Sequence, residues 1–134
     1  MAYCFMDIET RSSVDLKKSN VYRYSESDDF EILMVAWAVD HGPVRVAVGQ
    51  KEIEDKFLSL FADKRHKLVA HNAQFERICM SRHLGLPTGT YIKPTRWIDT
   101  MARAAEAGHP LTLDGLAKAL GTTEIGRASC RERV

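Results

Sequence analysis

Three cysteines are too few for a disulfide scaffold, and Cys4, Cys79 and Cys130 have none of the close spacing that a zinc site needs. An odd, scattered set of thiols points to a reducing, intracellular setting. Long hydrophobic runs are missing too. The longest, residues 32–39, is strand-sized, far short of the roughly 20 residues of a membrane-spanning helix. The opening MAYCFMDIET reaches an acid at Asp7, so it lacks the basic start and extended apolar stretch of a secretory signal. Net charge of one sign is also scarce. At +1 the chain offers no global attraction for nucleic acid, and any such binding must rest on local patches. These absences predict a soluble, cytoplasmic, monomeric protein with no membrane partner.

The chain has 134 residues, 45% hydrophobic and 28% charged, which suits one globular domain with a core. The last ten residues, IGRASCRERV, resemble the in-frame translation of a DNA-sequencing adaptor. Leaving them out removes three arginines and one glutamate and turns the net charge from +1 to −1. The expected division is a domain over residues 1–124, cut short at its C-terminal end, and an extraneous tail over residues 125–134.

Residues 2–7 are apolar and then abruptly acidic, as in a buried strand that ends in a polar site. Residues 10–30 are polar and read as a long excursion, a length usually tied to function. A second strand over residues 32–39 turns at Asp40-His41-Gly42-Pro43 into a third in which Val44, Val46 and Val48 alternate. Residues 51–62 carry Ile53, Phe57, Leu60 and Phe61 at helical spacing. A strand at 67–70 leads to a helix over 73–84 that Gly85 and Pro87 end. A strand at 95–98 and helices over 100–107 and 113–120 complete the series. Three meandering strands followed by alternating helices and strands imply an α/β fold with a mixed sheet.

Asp7 and Glu9 are two apart on a strand, so both carboxylates face one way and Ile8 the other. Converging like charges are costly without a cation, and magnesium, a hard ion, takes oxygen ligands. Either acid could equally cap backbone groups in a turn. In Leu68-Val69-Ala70-His71-Asn72-Ala73-Gln74-Phe75-Glu76 a strand runs into a helix, with Asn72 the expected N-cap and Glu76 in the first turn. That turn lies where open α/β sheets build ligand sites, although an acid there also simply complements the helix dipole.

DIET followed by HNAQFE resembles the first two motifs of the DEDD superfamily of 3′–5′ exonucleases, whose fold is ribonuclease H-like. The similarity is closest to exonuclease domains attached to phage-type family A DNA polymerases, and it runs from Tyr3 to Gly121. It implies that Asp7, Glu9 and Glu76 are catalytic and bind two Mg²⁺ or Mn²⁺ ions. Glu76 stands where the superfamily more often has Asp. The resemblance further implies that Asn72 orients substrate and Phe75 packs or touches it. Its expected partners are the 3′ end of single-stranded DNA and a polymerase domain in the same full-length chain. Nucleoside 5′-monophosphates would be released one at a time.

Thr10, Lys17, Lys18 and Tyr22 are further candidate substrate contacts, with Arg23 and Tyr24 beside them. Cations interleaved with rings suit a single strand, but the same rings could instead pack the excursion onto the sheet. The family's last acid is expected to be absent. His109 and Asp114 have a family-like spacing, yet Pro110 breaks the helix they would share, and Thr112 is placed to cap a helix that begins after it. Asp99 is read as a strand-to-helix cap, and Arg77 and Arg82 as solvated or phosphate-facing. The chain itself is thus expected to be weakly active or inactive, with the sheet intact and the helical cover of one face at risk. A free-standing DNA or oligoribonucleotide exonuclease, or a non-catalytic nucleic-acid-binding domain, are the alternatives.

Overall fold

The computed structural model describes residues 1–122; the tail over 125–134 lies outside the described residues. Its strands are β1 (Ala2–Arg11), β2 (Glu31–Val39), β3 (Arg45–Val48), β4 (His66–Ala70) and β5 (Trp97–Asp99). They form one sheet in the order β3-β2-β1-β4-β5. The first three are a meander of antiparallel pairs, whereas β4 runs parallel to both β1 and β5. The helices are α1 (Val21–Glu26), α2 (Gly49–Lys56), α3 (Leu58–Ala62), α4 (Ala73–His83), α5 (Thr100–Glu106) and α6 (Leu113–Ala119). This is the mixed α/β arrangement predicted, and it is compatible with a ribonuclease H-like fold.

Alternation along β1 decides which side is packed. Cys4, Met6 and Ile8 are buried, and across the antiparallel pair Met6 meets Trp37 and Ile8 meets Val35, both also buried. This side joins Ala47, Ile53, Phe57, Phe61, Ala73, Cys79 and Met80 in one core. Trp37, Phe57 and Phe61 stack in series, with ring centroids 5.0 and 5.6 Å apart.

Four elements depart from expectation. β1 continues to Arg11, so Asp7 and Glu9 sit within it and not at its end. β4 pairs with β1 only as far as Phe5↔Val69, but β2 accompanies it to Arg11↔Glu31 and keeps it extended. The expected helix over 51–62 is two helices broken at Phe57, which ends α2 with φ −117° and is itself fully buried. The excursion contains α1, capped by the Asn20 side chain accepting from the Arg23 amide at 3.0 Å. The fifth strand begins two residues late, because Pro94–Arg96 form a 3-10 turn.

Arginines hold irregular backbone in place. Arg96 donates to the carbonyls of Phe61, Asp63 and His66 at 3.0, 2.7 and 3.1 Å. Arg77 donates to the Ile92 carbonyl at 2.8 Å and Arg82 to that of Ser25 at 3.1 Å. Arg77, half-buried, is therefore a packing pin and not the solvated or phosphate-facing group expected, whereas Arg82 is exposed, as expected, while making its one backbone bond. α4 ends as Gly85 predicts. Gly85 has φ +77°, and the Leu86 amide reaches back to the Ser81 carbonyl at 3.2 Å.

No helix among the described residues is long and apolar enough to cross a membrane.

Candidate functional site

The site is built where β1 outruns β4. β4 pairs with β1 through Phe5↔Val69, ends at Ala70 and turns into α4. Asp7, two residues past Phe5, therefore lies just beyond the point where β4 leaves the sheet. Asp7 and Glu9 are half-buried and share the face of β1 opposite Met6 and Ile8, beside Ala36 and Met34 of β2. Glu76, in the first turn of α4, is only 3% exposed. Such burial is rare for a glutamate and requires specific surroundings. Its charge reaches one turn along the helix: burial first, and then Glu76, push the Cys79 thiol well above its ordinary range.

The turn from β4 into α4 is unusual. Asn72 is the N-cap residue, as expected, but it adopts the left-handed conformation (φ 63°, ψ 58°) and its side chain makes no cap bond. Asparagine tolerates this region better than most residues. Its amide donates to Asp99 Oδ1 at 2.9 Å, and the same oxygen accepts from the Met101 amide at 2.9 Å. Asp99 is thus the predicted cap of α5, and it also clamps the turn before α4. His71 fixes the turn from the other side. Its Nδ1 lies 2.9 Å from Thr100 Oγ1, and its Nε2–H donates to the Leu111 carbonyl, which can only accept. Neither Asp99 nor His71 stood out as an organiser of this turn in the sequence. Their position after a strand was the one available signal.

The excursion packs down on this region. Tyr22 Oη accepts from Gln74 Nε2 at 2.9 Å and its ring meets Tyr91 edge-on at 5.2 Å. Tyr24 is buried, bonds Thr10 Oγ1 at 2.8 Å, and contacts Phe30 and Phe75 at 5.9 and 6.0 Å. Of the open alternatives, ring packing therefore describes Tyr24, Phe30 and Phe75, while Tyr22 is half-buried at the surface. Lys17 and Lys18 are exposed. Lys18 and Arg23 line a cleft of about 430 Å³ together with Asp15 and Glu26, so its charges are mixed.

His109 and Asp114 do not share a helix. α6 starts at Leu113, capped by Thr112 Oγ1 accepting from the Gly115 amide at 3.1 Å, and exposed Asp114 pairs with Lys118 at 3.1 Å.

The candidate donors Asp7, Glu9 and Glu76 are all carboxylates, a set chemically suited to magnesium or manganese and unsuited to soft metals. Among the described residues, no group of three or more His, Cys, Asp and Glu side chains is gathered as a ready metal cluster. The fit is thus one of chemistry and placement.

No family model matches the chain. It is 43% identical over 118 residues to the DNA polymerase of Bacillus phage SP02, an alignment covering 86% of this chain and 17% of that polymerase. The chain, similar over most of its own length to a phage DNA polymerase, spans about a sixth of that relative.

Proposed function

We propose that this chain forms the front part of a two-metal-ion 3′–5′ exonuclease that edits DNA 3′ ends for a polymerase in the same full-length protein. The observation that carries the reading is the placement of three carboxylates. Asp7 and Glu9 lie on one face of β1 just past its last β4 pair, and buried Glu76 opens α4 at the same end of β4. Similarity to a phage DNA polymerase supports a polymerase-linked role for that placement.

Asp7, Glu9 and Glu76 would hold Mg²⁺ or Mn²⁺, which when bound supply charge neutralisation at a phosphate and a more acidic water. The chain's own residues do the positioning. The pleat of β1 aims Asp7 and Glu9 together. The Asp99 clamp on the Asn72 amide fixes where α4 begins, and hence where Glu76 stands. Thr10, Asn72, Lys17, Lys18 and Tyr22 would receive the strand, with Phe75 packed behind them against Tyr24. Asn72 and the two lysines, exposed as they are, have side chains available for that contact.

Thermal unfolding of the chain with and without Mn²⁺ tests the reading. Mn²⁺ should raise the melting temperature of the wild type and leave Asp7→Asn unmoved. Equal shifts in both proteins would overturn the assignment of Asp7 as a ligand and the exonuclease reading with it.

A further inference from the structure

The overhanging half of β1 needs support that β4 no longer gives. Past Phe5 the strand has β2 on one edge, and the β1–β2 register slips between Glu9 and Thr10: Glu9 faces Met34, but Thr10 faces Ile32. A bulge of this kind re-aims the side chains beside it. One buried side chain reaches that point from outside the sheet. Tyr24, in α1, places its hydroxyl 2.8 Å from Thr10 Oγ1, immediately after Glu9. Its ring lies 6.0 Å from that of Phe75, immediately before Glu76, with Phe30 packed edge-on at 5.9 Å. A single rigid ring thus touches the neighbour of one candidate ligand on β1 and the neighbour of another on α4. The excursion that carries it is tied closed at its base: Asp29 accepts from the Ser13 amide at 3.0 Å and from the hydroxyls of Ser13 and Ser27. Arg82 then anchors the end of α1 to α4 through the Ser25 carbonyl.

We propose that Tyr24 is a positioning residue, which sets the orientation of Glu9, on β1 opposite the bulge in β2, relative to Glu76 on α4 through its bond to Thr10 and its contact with Phe75. The inference rests on the metal-binding reading above. It assigns the excursion a structural part in metal affinity, separate from any contact with substrate. Tyr24→Phe keeps the ring and removes only the hydroxyl, so the core contact with Phe75 survives.

Mn²⁺ uptake by the whole chain, read from loss of the free-ion electron paramagnetic resonance signal, tests it. Tyr24→Phe should bind Mn²⁺ at least threefold more weakly than wild type. Thr10→Val should do the same, and the double variant should be no worse than either single one, because both remove one bond. Thr10→Val reads that bond from the other side should Tyr24→Phe fold poorly. A purely structural tyrosine would lower the melting temperature and leave Mn²⁺ affinity unchanged, and that result would overturn the proposal. Uptake lost in Asp7→Asn but retained in Tyr24→Phe and Thr10→Val would sink the positioning role alone. No uptake by the wild type would sink the metal reading and the proposal together.

Discussion

Met6 and Phe5 are neighbours on the central strand of one sheet, yet their surroundings have little in common. Met6 is buried beneath α2–α4 and across from Trp37. Phe5 is 46% exposed, and so to similar extents are Tyr3, Val46 and Val48 on the same open side. Strands in parallel pairs are ordinarily covered on both faces, so a bare apolar face over β1 and β3 is a departure from the usual pattern. Asp7 and Glu9 belong to that open side. The comparison teaches that one face of β1 serves to hold the fold together, and that the other, which carries the candidate ligands Asp7 and Glu9, contributes little to stability.

Substitutions on the two faces should differ accordingly. The largest effect is expected at Phe57, fully buried and stacked on Trp37 and Phe61. Phe57→Ala should cost about 3–5 kcal/mol in urea unfolding. Met6→Ala should cost about 2–5 kcal/mol, and Phe5→Ala only about 1 kcal/mol, since half of that ring is already in water. Equal losses at positions 5 and 6 would break the contrast between the faces. Next comes the cap of α6, against which a side chain at position 115 would collide: a Cβ there would lie 2.7 Å from Thr112 Oγ1 and 3.0 Å from Pro110. Thr112→Ala should cost about 1 kcal/mol.

A smaller, pH-dependent difference is expected at the rim of the covered side. Hydrogen bonds from the side chain and amide of Arg65 hold the Asp63 carboxyl well below the usual carboxylate range. An acid lowered in the folded state contributes stability that is complete above its unfolded value, near pH 4, and is lost as pH falls through the folded one. The acid limb of a stability–pH curve should therefore flatten in Asp63→Asn, and an unchanged limb would show the bond to be inert. The smallest effect concerns the thiols. Burial pushes Cys4 up to about 11, and Cys79 higher still. Neither should react with a thiol reagent at pH 8 in the folded protein, and both should react once urea unfolds it.

Much of the sheet was legible in the amino-acid pattern because continuous apolar runs mark β1 and β2, Val44, Val46 and Val48 alternate into β3, and turn residues separate β2 from β3. The length of β1 was not, since Thr10 and Arg11 are polar and only pairing with Ile32 and Glu31 keeps them extended. α1 was hidden for a similar reason. Its sequence, VYRYSE, has weak helix formers, and packing against α4 compensates for that weakness. The carboxylates of the candidate site could be named from the resemblance of DIET and HNAQFE to known motifs, spacing alone leaving capping roles open, yet the devices that hold them could not be named at all. The bond from the Asn72 amide to Asp99 and the Tyr24–Thr10 bond link residues 27 and 14 positions apart in the chain. Local patterns carry no information about such links. Arg77 and Arg82 make the same point from the opposite side: their helical position suggested solvent, and the carbonyls they hold come from other segments.

Arg96 gives the fold a timetable. The three carbonyls it gathers belong to Phe61, Asp63 and His66, all made at least 30 residues earlier. At a synthesis rate of roughly 5–20 residues per second, that stretch exists for roughly 2–6 s before its clamp emerges. During the interval the segment from Phe61 to His66 lacks that clamp, and β4 lacks its parallel partner β5. The hairpin of β1, β2 and β3 has no such dependence and can be complete while the rest of the chain is still being made.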